Sequence, residues 1–91
     1  NSQIPHFTSG QLAVDTLILP GFVRVNGVSV VTAGAAGGLY DASSIANAAS
    51  TTQVFVVPAT AGFQKTDMVF ANGLVYKPGA GQVAAFFYAR T

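Results

Sequence analysis

The chain has no cysteine, no tryptophan and no glutamate, one histidine and one methionine, and only seven formally charged side chains in 91 residues. The missing cysteines exclude disulfides and thiolate metal sites. The three carboxylates, Asp15, Asp41 and Asp67, stand far apart in sequence. Each lies near the end of a β-capable stretch, where Asp commonly serves turn hydrogen bonding, so a structural role is favoured over acid–base catalysis. Any Ser–His–Asp arrangement would have to use His6, and no Gly-x-Ser-x-Gly elbow accompanies it. One imidazole and three scattered carboxylates do not make a metal cluster, and the glycine run 34–38 is followed by no P-loop lysine. The reading is non-enzymatic, with no catalytic residue, no metal and no cofactor.

Charge is scarce as well: 8% of residues against about 25% in an average domain. The four cations, Arg24, Lys65, Lys77 and Arg90, are scattered, which excludes the clustered basic patch that nucleic-acid binding needs. The uncharged stretch 42–64 is rich in Ser, Thr and Asn and broken by Pro58, so it is not a membrane span. Asp15 interrupts the apolar run 12–23, which is therefore not read as a signal-peptide core. The chain begins at Asn1, as a trimmed chain or a piece of a longer one would. What remains is 51% apolar. A freely soluble monomer carries more charge than this. The preferred reading is a surface covered by partners; the alternative is a neutral, polar-uncharged surface.

The pattern is all-β. Val23 and Val25 alternate, and so do Val28 and Val30 with the opposite phase; the phase flips at Asn26-Gly27. A bulge with Gly27 at positive φ would return all four valines to one face. It is preferred to a tight hairpin there, whose arms would be short. Residues 11–19, 39–41, 53–57 and 67–71 read as further strands, with 59–65 a loop and 42–52 a polar loop that Asp41 is placed to cap. The stretch 72–90 reads as a hairpin around Pro78-Gly79-Ala80-Gly81, its second arm an interior strand that is apolar on both faces. Short strands punctuated by Gly and Pro predict a small antiparallel β-sandwich or partly open barrel of about six to eight strands. The expected organisation is an extended N-terminal arm, 1–10, followed by one β-domain, 11–91.

Adjacent Phe86 and Phe87 cannot share one core, so one of them must reach a second layer or a subunit interface. Ile4 and Phe7 are the apolar groups of the arm, which is expected to order only in an assembly, through main-chain bonds to a neighbour. Ile4, Phe7, Phe86 and Tyr88 are the candidate assembly interface. Exposed Tyr40 and Tyr76 flanked by Asn would instead favour a glycan-binding module.

Three stretches, in this order, carry a resemblance: Leu39-Tyr40-Asp41 after a glycine turn, Asn72-Gly73-Leu74-Val75, and Pro78-Gly79-Ala80-Gly81-Gln82. With the valine-rich stretch 23–31, they make residues 21–88 resemble small tailed-bacteriophage virion proteins of the capsid decoration (cement) or head-fibre type. The resemblance implies a structural protein on the capsid surface that stabilises the shell by bridging major capsid protein subunits. A homotrimer is preferred to a dimer. The alternative is a receptor- or glycan-binding domain of a head or tail fibre. The resemblance brings no catalytic residues, no cofactor, and no nucleic-acid or membrane partner.

Overall fold

The structure, a computed structural model, describes residues 7–90, Arg90 by its backbone only; Ile4 and His6 lie outside the described residues. Eight strands follow one another: β1 (Phe7–Thr8), β2 (Thr16–Pro20), β3 (Val23–Thr32), β4 (Gly37–Asp41), β5 (Gln53–Val57), β6 (Gly62–Phe70), β7 (Gly73–Lys77) and β8 (Val83–Arg90). They form two four-stranded antiparallel sheets, ordered β1-β8-β3-β6 and β2-β7-β4-β5. The fold is a small all-β sandwich.

Every connection except β4–β5 leaves one sheet and enters the other. This overturns the expected 72–90 hairpin: β7 pairs with β2 and β4, whereas β8 pairs with β1 and β3. Pro78–Gln82 is an arch across the sandwich. Close backbone packing holds it, since a Cβ on Gly79 would collide with the Ala35 carbonyl. The Ala35 N–H donates to the Ala80 carbonyl at 3.0 Å, and Gly34 N–H to Ala59 at 3.2 Å, so three arches are bonded together at one end of the molecule. Gln82, 1% exposed, clamps the same end. Its Oε1 accepts from the Tyr76 hydroxyl at 2.5 Å and its Nε2 donates to the Pro58 carbonyl at 2.8 Å.

β3 supplies the centre of the core. Val23, Val25, Val28 and Val30 are all buried, and the register slips between Val25 and Gly27 against both neighbouring strands. The bulge therefore does what the valine phase requires. Gly27, however, is not at positive φ. A Cβ there would meet the Phe63 ring at 2.8 Å, so the ring would have to shift. The valines pack with Leu39, Val57, Phe70, Leu74, Tyr76, Ala84 and Phe86. Tyr76 and Phe86 meet edge to face across the two sheets, with centroids 4.6 Å apart.

A second, smaller cluster lies on the outer side of the β2-β7-β4-β5 sheet. There the 42–52 loop folds back, so that Ala42 and Ala48 bury Val75 against Leu17 and Tyr40. Lys77 fixes that loop by donating to the Ala48 carbonyl at 2.8 Å, with its ammonium 5.4 Å from the Tyr40 ring centroid. Asp41 does not cap this loop as expected. Its carboxylate accepts from the Asn72 N–H at 2.8 Å and the Ala71 N–H at 3.4 Å, closing the β6–β7 arch instead.

Two boundaries also differ. β6 starts at Gly62, inside the expected 59–65 loop, because Gly62–Lys65 pair with Val30–Gly27 of β3. The described part of the arm is tied to its own chain: Phe7 and Thr8 pair with β8, and Ser9 and Leu12 donate their N–H groups to the Phe86 and Ala84 carbonyls at 2.9 and 2.8 Å. The open edge of β8 is the nearest unfilled ladder, so main-chain bonds expected between molecules form within one.

Candidate interaction surface

Of the four residues singled out as an assembly interface, Phe7, Phe86 and Tyr88 are described. Ile4 lies outside the described residues. Phe86 is a correction: it is fully buried on the inner face of β8, because residues of even number on that strand point between the sheets. Tyr88 shares this side, half-buried against the core, and Phe7 lies beside it with centroids 5.8 Å apart. Phe7 alone of the described three is an exposed large apolar side chain.

The exposed aromatic of β8 is the neighbour, Phe87. It stands on the outer face of the β1-β8-β3-β6 sheet in one row with Gly27 and Lys65. Phe63, one residue pair along β6 and 64% exposed, leans its ring over Gly27. The two rings meet edge to face, with centroids 6.0 Å apart and planes inclined at 69°. Between them lies a shallow depression of about 340 Å³ lined by Asn26, Gly27, Phe63, Lys65 and Phe87. Its floor is backbone and its walls are aromatic. Exposed Val31 and Val69 and the small Ala85 extend the apolar character along the same face. The Arg24–Asp67 ion pair, at 3.6 Å, crosses it between β3 and β6. The amide Nδ2 of Asn26 is buried at this site without a hydrogen-bond partner. Sequence reasoning misses the patch because it places Phe63 in a loop and Phe86, rather than Phe87, on the surface.

A second depression, of about 220 Å³, is polar and lined by Asp41, Ala42, Ser43, Asn47, Thr52 and Asn72. The Asp41 carboxylate there is already engaged by backbone N–H groups. The tyrosine platform that a glycan would need is not assembled, since Tyr76 is fully buried and Tyr40 lies under Lys77 and the 42–52 loop. Burial pushes the Tyr76 phenol up to about 12. This phenol sits in the core, donating to the Gln82 side chain.

Among the described residues no three His, Cys, Asp or Glu side chains gather as metal ligands, and no helix is long and apolar enough to cross a membrane. Comparison with known proteins leaves this geometry to speak alone, for no family model matches the chain and neither a curated protein nor a solved structure matches it.

Proposed function

We propose that the chain is a non-enzymatic structural subunit of a bacteriophage virion, a small homo-oligomer on the capsid surface that stabilises the shell by bridging major capsid protein subunits. The carrying observation is the Phe63–Phe87 face over Gly27, an exposed apolar surface on a sandwich with very few charges. Apolar area of this kind contributes roughly 25 cal/mol per Å² when covered, and a repeated subunit multiplies a small gain over many copies. Contiguous exposed apolar surface is a common feature of protein contacts. The alternative, a receptor- or glycan-binding domain of a head or tail fibre, draws on the polar depression around Asp41, Asn47 and Asn72; it lacks an aromatic platform there.

The test is to image purified phage particles by electron microscopy with the chain labelled. Label repeating on the capsid lattice is the expected result, and a Phe63→Ser/Phe87→Ser variant should be lost from it. Label confined to fibre tips would replace this reading with the alternative, and absence from particles would overturn both.

A further inference from the structure

The geometry points to a second copy of this chain as the partner of β6, joined edge to edge about a two-fold axis at Thr66. Among the described residues β6 has a neighbour on one side only, β3. It is nine residues long, with its unpaired edge free of proline. The other edges are blunted or short. Among the described residues β1 has two residues, β2 has five and ends in Pro20, and β5 has five. Long bare edges are the places where sheets acquire another strand.

β6 matches itself. Its outward side chains are Phe63, Lys65, Asp67 and Val69, all exposed; the register shift against β3, which sets both Thr66 and Asp67 opposite Asn26, leaves this alternation in phase. Antiparallel pairing centred on Thr66 sets Lys65 opposite Asp67 of the second copy, and Asp67 opposite its Lys65. It also sets Phe63 opposite Val69 of the second copy, twice. Opposite charges and aromatic–β-branched pairs are the favourable cross-strand combinations. Centring on Lys65 or Asp67 instead opposes two like charges, and a one-residue slip turns one sheet over. The Asp67 side chain is 78% exposed despite its contact with Arg24, so it is open to a second cation.

The product is an eight-stranded sheet whose outer face carries two Phe63–Phe87 patches side by side, each extended by Val69 of the other copy. β5 also brings valine to valine when paired with itself, through Val54 and Val56, but it has no charge to set a register. The dimer takes the place of the trimer preferred from sequence. It stands apart from the virion reading, because it needs only the chain in solution.

Sedimentation equilibrium of the purified chain is expected to give a concentration-dependent dimer of the 9.3 kDa protomer. Asp67→Lys or Lys65→Asp alone should each weaken association about tenfold or more, because both symmetry-related pairs become repulsive. The double reversal Lys65→Asp/Asp67→Lys should restore it to within a few-fold. Circular dichroism establishes that each variant is folded. In the unmodified chain, amide exchange of residues 63–69 should slow as concentration rises. A monomer at millimolar concentration, single reversals without effect, a double reversal that fails to restore, or exchange in β6 indifferent to concentration would each overturn the pairing.

Discussion

Truncating Phe86 and Phe87 one at a time separates the inner from the outer face of β8. Phe86 is wholly buried, contacts the β3 valines and meets Tyr76 edge to face at 4.6 Å. A buried Phe removes about 150–250 Å² from water, worth roughly 4–6 kcal/mol at about 25 cal/mol per Å². The unfolded chain already hides part of that area, which lowers the figure. The cavity left by Phe86→Ala and the lost aromatic pair raise it again, so about 3–5 kcal/mol is expected. Against the roughly 5–15 kcal/mol that holds a domain of this kind together, this is a large share. Phe87 keeps 38% of its surface in water and its one aromatic contact is with exposed Phe63. Phe87→Ala should cost about 1 kcal/mol.

Chemical denaturation with urea, fitted with a common slope, reads both values, and the midpoint of Phe86→Ala should fall far below that of Phe87→Ala. Thermal melts should show the same order, with Phe86→Ala lowered by about 12 °C or more. Equal costs, or a larger cost at Phe87, would mean that β8 presents its other face to the core and pairs with β3 in a different register.

Two further outcomes follow from the arch end of the sandwich. Gly79→Ala should destabilise by about 2 kcal/mol or more, since its Cβ would press on backbone atoms of Ala35 and Ala36 that cannot swing aside; Gly81→Ala, at φ 78° with open space around it, should cost about 1–2 kcal/mol from backbone strain alone, and denaturant titration of both checks the order. Tyr76 has its folded pKa raised to about 12 from 10.0, so its contribution to stability is fully present below pH 10 and is lost as pH climbs from 10 toward 12; Tyr76→Phe should flatten that part of a stability–pH profile while costing about 1–3 kcal/mol at neutral pH, because the buried Gln82 Oε1 loses its donor.

The sequence made the strands legible and their partners illegible. β3 and β5 could be placed because their valines and the single phenylalanine of β5 mark β stretches, and the phase flip at Asn26-Gly27, where a hairpin was the competing reading, is a bulge. Pairing is another matter. Pro78-Gly79-Ala80-Gly81 carries the turn chemistry of a hairpin, yet the same residues bend a chain just as well from one sheet to the other. What selects the arch is non-local: the Ala35 backbone against Gly79, the Gln82 amide on Pro58, and the Tyr76 ring against Phe86. Ala35 and Pro58 lie far in sequence from the turn that they help to fix.

The same non-locality explains why the candidate surface moved by one residue. On a strand, alternation establishes that Phe86 and Phe87 face opposite ways, but not which way is inward. That choice is made by β3, whose four valines fill one face and whose bulge leaves Gly27 on the other. Phe86 opposes Val28 and goes in; Phe87 opposes Gly27 and stays out, where a missing side chain leaves room for an aromatic ring from each neighbouring strand. Gly27 is thus the residue on which core and surface both depend. Its lack of a Cβ lets Phe63 and Phe87 close over the backbone, and any larger residue there would push the Phe63 ring away from the sheet. The surface patch is in this sense a consequence of the bulge that keeps the core in register.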